Sequence, residues 1–68
     1  MTVIKILELV GESKTSFTDA VENVVQEAAR RIPNITGVEV CNFTGSVDNG
    51  KIVDYKANVK VAFVEEQS

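Results

Sequence analysis

The sequence predicts an α+β protein: a three-stranded antiparallel sheet wrapped on one helix, in the order strand, helix, strand, strand. An apolar stripe with helical spacing occupies residues 17–32. The segment before it is apolar on both faces, as a covered strand is, and the last segment of the chain alternates between apolar and polar residues. Asn49-Gly50 separates the last two segments and is typical of a hairpin turn. Because no parallel β-α-β repeat is recognisable, we expect antiparallel pairing within one domain spanning residues 1–68.

The first strand is predicted over residues 3–10, where both faces are mostly apolar and are therefore expected to be covered. Glu8 interrupts one of these faces. A buried carboxylate needs a partner, and Lys56 or Lys60 across the sheet could supply it. We interpret Glu8 as half of an ion pair within or between subunits, with a ligand or metal contact as the alternative. Residues 11–15 are predicted to form a polar connector.

The helix is predicted to begin after Ser16, a favourable N-cap residue, and to end at Pro33, which cannot continue a helix. Its apolar face is made of small and medium side chains, so we expect close packing on the sheet. These residues are Phe17, Ala20, Val21, Val24, Val25, Ala28, Ala29 and Ile32.

Residues 38–48 and 52–64 are predicted to form the hairpin strands, and residues 65–68 a frayed tail. The apolar phase of the earlier strand changes between Val40 and Phe43. A bulge near Cys41-Asn42 would reconcile the two phases.

A chain of 68 residues is short for a stable core, and such chains usually carry disulfides, a metal or partner chains. One cysteine and no histidine leave association as the expected source of stability. Strand length supports this. The last strand would run about 45 Å at roughly 3.3 Å per residue, whereas the helix would cover about 25 Å. The hairpin is therefore expected to overhang its helix and to be covered by other chains.

Composition excludes several functional classes. A net charge of −3 disfavours a general nucleic-acid-binding protein. No apolar run approaches the roughly 18 residues of a membrane span. The start of the sequence lacks the pattern of a secretory signal and Cys41 is unpaired, so we expect a cytoplasmic protein. Without histidine, or a base beside Cys41, we expect no enzyme.

The sequence resembles the dodecin family over nearly its whole length. The resemblance is carried by residues 5–13 (KILELVGES), 16–20 (SFTDA), 38–40 (VEV), 49–51 (NGK) and 55–63 (YKANVKVAF). It implies a β-α-β-β protomer assembled into a hollow homo-dodecamer. Dodecins bind flavins such as riboflavin, FMN or lumichrome without catalysing a reaction, and some also carry coenzyme A or bound ions.

The resemblance also indicates where a flavin site would lie. At the position of the tryptophan that stacks on the flavin ring, this chain has Gly37, and it contains no tryptophan. Lys56 replaces the glutamine that hydrogen-bonds the ring edge. A position that helps to hold the ligand's tail falls at Asn42 or Thr44. We therefore expect an altered pocket that binds flavin weakly or has lost flavin binding.

Two further possibilities follow from the charged residues. Lys5 and Arg30 are candidates for an anion site, although they are far apart in sequence. As an alternative to flavin storage, the assembly could be an ion-binding or purely structural shell, in which Glu8, Asp54, Lys56 and Lys60 form ion pairs between subunits. The sequence assigns no metal ligands to such a shell.

Overall fold

In a computed structural model that describes residues 2–66, the chain forms β1 (Thr2–Ser13), α1 (Phe17–Arg31), β2 (Ile35–Asp48) and β3 (Lys51–Glu66). The strands form one sheet in the order β1-β3-β2, and both pairings are antiparallel. The predicted β-α-β-β fold is thereby confirmed. Since β3 pairs with both other strands, the last strand of the chain organises the whole sheet.

The start of α1 is fixed by two serines. The hydroxyl of Ser16 accepts a hydrogen bond from the Asp19 backbone nitrogen at 3.0 Å, which confirms it as the N-cap. The buried Ser13 hydroxyl accepts one from the Thr15 nitrogen at 2.9 Å and donates one to the Asp19 carboxylate at 2.8 Å. These bonds hold the short turn between β1 and α1. Within the described residues, no helix is long and apolar enough to cross a bilayer.

The core lies between α1 and the helix side of β3. Its buried residues are small: Ala20, Val24 and Ala28 on the helix, and Ala57, Val59 and Val61 on β3. Small side chains let the helix approach the sheet closely. The helix approaches the sheet closely at Gly11 of β1, where an added Cβ would lie 2.5 Å from Val24 Cγ2 and closer still to the Ala20 carbonyl oxygen.

The strands are longer than predicted. β1 continues through residues 11–13, which pair with residues 55–57 of β3, so the predicted connector shrinks to residues 14–16. β2 already begins at Ile35, next to Asn34, whose carbonyl accepts a hydrogen bond from the Val64 nitrogen at 3.1 Å. The prediction of a frayed tail is wrong for residues 65 and 66, because these residues pair with β1. Residues 67 and 68 lie outside the described part of the chain.

The predicted bulge and hairpin are both present. The β2–β3 register shifts between Val40 and Asn42, so Cys41 is the extra residue that reconciles the two apolar phases. Asn49 and Gly50 have φ values of 52° and 75°, as a type I′ hairpin turn requires.

The sheet extends far beyond its helix. The molecule is 55 Å long, whereas the 15 residues of α1 span about 22 Å. Side chains of β2 that face the helix side are consequently exposed, by 42% at Val38 and 52% at Phe43. On the opposite side of the sheet, Ile4 and Ile6 are 55% and 57% exposed. The expectation that both faces of β1 are covered therefore does not hold within a single chain.

We predict that Gly11→Ala destabilises the protein by about 1–3 kcal/mol, because the new methyl group overlaps the backbone of α1. Urea unfolding at a fixed protein concentration would measure the change. Gly37→Ala is the matched control, since nothing lies within 4 Å of its added Cβ, and should change stability by less than about 0.5 kcal/mol. Equal effects at the two glycines would contradict the close helix–sheet contact.

Candidate functional site

The candidate site lies on the side of the sheet that faces away from α1, called here the open face. Paired residues of neighbouring strands point to the same side of a sheet, so the register assigns each residue to one side. The open face comprises Ile4, Ile6, Glu8, Val10 and Glu12 on β1, Gly37, Glu39, Asn42, Thr44 and Ser46 on β2, and Asp54, Lys56, Asn58, Lys60, Ala62 and Val64 on β3.

The register brings four of the six predicted site residues to this face. Thr44 pairs directly with Lys56, Asn42 pairs with Asn58, and Gly37 pairs with Ala62. Lys56, Thr44 and Asn42 are thus close neighbours. Nothing lies within 4 Å of the Cβ position at Gly37, so this part of the face has space for a larger side chain or a ligand.

Gly37 is nevertheless distant from Lys56 within one chain. Ala62, the partner of Gly37, is six residues along β3 from Lys56, which is about 20 Å at the rise of an extended strand. This separation is longer than a three-ring aromatic system. A ligand contacted by both residues would therefore have to take them from different chains.

The other two predicted site residues, Lys5 and Arg30, lie elsewhere. Lys5 pairs with Phe63 on the helix side of the sheet, and its ammonium is 3.0 Å from the Glu65 carboxylate. Arg30 lies on the exposed side of α1, with its guanidinium 3.5 Å from the Glu27 carboxylate. Each of these cations already has a carboxylate partner, and neither belongs to the open face.

Aromatic residues are confined to the helix side. The rings of Phe17 and Phe43 are 5.0 Å apart, and Tyr55 meets Phe17 edge-on at 4.9 Å. Phe63 alternates with the buried residues of β3 and so points to the same side. These four residues are all the aromatic residues of the sequence. The open face consequently offers no ring on which a flat ligand could stack.

Lys56 is held over a buried carboxylate. Asp54, two residues earlier on the same face, has a side chain that is only 9% exposed. Its Oδ2 is 3.3 Å from Lys56 Nζ, and its Oδ1 is 3.4 Å from Lys14 Nζ. The sequence suggested Asp54 only as a member of ion pairs between subunits, whereas both of its lysine partners here belong to the same chain and its burial is not visible in the alternation. The position of Lys56 is therefore linked to a structural ion pair.

The environment of Asp54 lowers its pKa below the ordinary value of 3.8. The neighbouring Glu12 side chain makes the largest contribution to the lower pKa, and the ammonium groups of Lys56 and Lys14 lower it further. Burial acts in the opposite direction, because it disfavours the charged form. The carboxylate thus stays ionised near neutral pH, where it binds both lysines.

A second charged row crosses the open face at Lys60. Lys60 pairs with Glu8 of β1 on one side and with Glu39 of β2 on the other. Of the two partners predicted for Glu8, the register therefore places Lys60 opposite it, whereas Lys56 lies opposite Glu12. Between the two lysines lies Asn58, whose Oδ1 is buried and has no hydrogen-bond partner. The middle of the open face is thus polar.

Two clefts of the single chain lie beside α1. One lies where α1 ends, between Ile32, Pro33 and Phe63, and the other lies between α1 and the end of β1. Cys41 is exposed on β2. Among residues 2–66, no group of three or more acidic, cysteine or histidine side chains is placed to hold a metal ion. Neither of these two clefts includes Gly37, Asn42, Thr44 or Lys56 of the open face.

Asp54→Asn should destabilise the protein at pH 7 and progressively less as the pH falls below 3.8. The reason is that a carboxylate with a lowered pKa stabilises the folded state above its unfolded pKa, and this stabilisation is lost as the pH falls through the folded pKa. Urea unfolding across this pH range measures the effect. Glu22→Gln removes the same charge from the exposed side of α1 and is the control. A pH-independent difference would contradict the ion pair.

Comparison with solved structures shows the same fold in other proteins. A Thermus thermophilus protein superimposes with a TM-score of 0.92 over 100% of both chains at 24% identity, a level that supports the fold alone. A dodecin from Streptomyces coelicolor matches with a TM-score of 0.90 and 25% identity, over 98% of this chain and 96% of that one. No functionally curated protein matches the sequence.

A third similar structure is described as a calcium-chelating immunodominant antigen, calcium dodecin, from Mycobacterium tuberculosis, with a novel calcium-binding site. It is 27% identical, with a TM-score of 0.81, and the match covers 97% of this chain and 94% of that one. The family model for dodecin matches residues 3–66, which include all four elements except the first residue of β1. The chain belongs to the dodecin family.

Proposed function

We propose that this protein is a non-enzymatic homo-dodecamer of the cytoplasm that holds small molecules where its chains meet. Its affinity for flavins is weak or absent. The observation that carries this proposal is the composition of the open face. It belongs to a dodecin fold, yet it has glycine at position 37 and no aromatic ring. The preferred ligand is consequently more polar than a flavin ring.

Exposed apolar surface supports the assembly. Ile4, Ile6 and Val10 of the open face are 55–66% exposed, and Val38 and Phe43 are uncovered on the helix side. Exposed apolar surface on both sides of the sheet is typical of a protein that associates. The short chain also has one unpaired cysteine and therefore no internal disulfide. Burial between chains supplies the stability that one core of six small residues lacks.

The position of the site also requires more than one chain. Gly37 and Lys56 face the same side about 20 Å apart, by the rise of β3. A flat ligand touches both only where two open faces meet. Small-molecule sites are concave and bury most of their ligand, and an exposed sheet surface gains such a shape only against a partner.

Weak flavin binding follows from two losses. Stacking on a large aromatic ring contributes area and favourable geometry, and Gly37 contributes neither. Lys56 has three donors and no acceptor, so it cannot match both kinds of polar group on a ring edge. Its ammonium is also bound to Asp54, and a ligand would have to compete with that ion pair.

Cation binding is the second candidate. The Mycobacterium tuberculosis relative is described as chelating calcium, and calcium takes six to eight oxygen ligands. Within residues 2–66 of one chain no cluster of three candidate ligands occurs. A calcium site in this assembly would therefore combine carboxylates of several chains, as Glu8 and Glu39 of the open face could provide.

We predict that the purified protein is colourless and fails to quench the fluorescence of riboflavin or lumichrome at micromolar concentrations. Gly37→Trp with Lys56→Gln should restore quenching, because it supplies a stacking ring and a group that both donates and accepts. Fluorescence titration measures both proteins. Space for the indole is available, since nothing lies within 4 Å of the Cβ position at Gly37.

Gly37→Trp alone is the matched control, because it leaves Lys56 on the buried Asp54. A double variant that assembles normally but gains no affinity would show that the pocket is placed wrongly. Strong quenching by the unaltered protein would overturn the claim of weak flavin binding. If calcium rather than flavin raises the melting temperature, cation binding becomes the better assignment.

The native particle is expected to have close to twelve times the chain mass of 7.4 kDa. Light scattering across a dilution series would measure it. Ile6→Glu should lower this mass, because it places a charge on an exposed apolar position of the open face. Glu22→Lys on the exposed side of α1 is the control. A monomer or simple dimer in the unaltered protein would contradict the proposed assembly.

A further inference from the structure

The hairpin tip carries a dipeptide with its own chemistry. Asn49 is followed by glycine, whereas the other asparagines of the sequence are followed by bulky residues: Val24, Ile35, Phe43 and Val59. Glycine has no side chain to shield its backbone nitrogen. Of the five asparagines, Asn49 is thus the one whose side-chain carbonyl is followed by an unhindered amide.

The structure leaves this dipeptide exposed to solvent. Asn49 and Gly50 are exposed, and nothing lies within 4 Å of a Cβ position at Gly50. β1 pairs with β3 only from Tyr55 onward, and Lys14 reaches Asp54, so within one chain the tip from Val47 to Val53 is held by two strands alone. A two-stranded ribbon without a third strand or a helix is only marginally stable. The tip therefore opens locally more easily than the rest of the sheet.

We propose that Asn49 is a site of spontaneous deamidation, with water as the co-reactant. When the tip opens, the Gly50 backbone nitrogen attacks the side-chain carbonyl carbon of Asn49. A carbon–nitrogen bond forms, the proton of the attacking nitrogen is lost, and the side-chain amide leaves as ammonia. Water then adds to one of the two carbonyls of the cyclic imide and opens it, which yields either aspartate or isoaspartate.

The other asparagines are protected in distinct ways. Asn23 lies within α1, and Asn58 lies in the central strand with hydrogen bonds on both sides. Asn42 lies within β2. Asn34 is the instructive comparison, because it is exposed and has a positive φ of 63°, like Asn49. Its next residue is the β-branched Ile35, which shields the attacking nitrogen and starts β2.

The reaction changes both the charge and the backbone of the hairpin tip. Either product adds a negative charge next to Asp48. The net charge per chain, which is −3 in the unmodified protein, therefore becomes one unit more negative. Isoaspartate also inserts a methylene into the main chain, which the tight type I′ turn cannot accommodate without shifting the Asp48–Lys51 pair. The modification thus loosens the part of the hairpin that extends beyond α1.

Prolonged incubation of the native protein at physiological pH and temperature, followed by digestion and tandem mass spectrometry, tests the proposal. The peptide with Asn49 should gain about 1 Da, as expected when an amide becomes an acid, in two isomers that chromatography separates. The peptide with Asn34 should stay unchanged. Asn49→Gly should abolish the change in intact mass, since Gly-Gly supports the same turn without the reactive side chain.

A sample unfolded in urea gives the rate for a fully open tip. The proposal stands if Asn49 reacts in the native protein in preference to the other asparagines, at a rate up to that of the unfolded chain. It fails if Asn49 stays intact in the native protein while it reacts in urea, because the folded turn then protects it. It also fails if Asn34 and Asn49 react equally in the native protein.

Discussion

One helix of 15 residues covers one side of a sheet in a molecule 55 Å long, and the rest of the structure follows from this mismatch. The contact is tight where it exists, because Ala20, Val24 and Ala28 rest on Gly11 and on the valines of β3. Beyond it, valines, isoleucines and a phenylalanine stay exposed. Apolar surface left in water by such a small chain is stabilising only when a partner removes it. The helix therefore defines the inside of the protomer, and the open face stays uncovered within one chain.

The fold was predictable because its signals are local. Helical spacing from Phe17, the Ser16 cap, Asn49-Gly50 and the phase change at Cys41 each depend on a few neighbouring residues, and the structure has all four features. The ends of the strands were not predictable. Gly11 reads as a connector residue, yet it pairs with Ala57 within β1, at a position where the helix leaves no space for a side chain. Asn34 likewise starts β2 early through a hydrogen bond to Val64, a residue 30 positions away.

The candidate site, like the fold, was predictable in some features and not in others. Alternation places Asn42, Thr44 and Lys56 on one side of the sheet, and the register confirms that they are neighbours. Burial of Asp54 depends on the side chains of Glu12, Lys14 and Lys56, which come from β1, from the turn before α1 and from β3. No spacing in the sequence reports such an arrangement. The sequence suggested Lys5 and Arg30 as an anion site because it does not show that each is already paired with a carboxylate, Glu65 and Glu27 respectively.

Lys56 affects both the choice of ligand and the stability of the protomer. When a buried carboxylate loses its cationic partner, the protein loses more stability than the ion pair had contributed, because the remaining charge stays desolvated. Replacing Lys56 with an amide therefore weakens the fold at Asp54 even where it improves the match to a flavin edge, although Lys14 remains to share the charge. Conversely, a ligand that draws Lys56 away from Asp54 must supply an anion or several acceptors in exchange. In the proposed assembly, this exchange and the missing aromatic ring would together favour small, oxygen-rich ligands over flat ones at the open face.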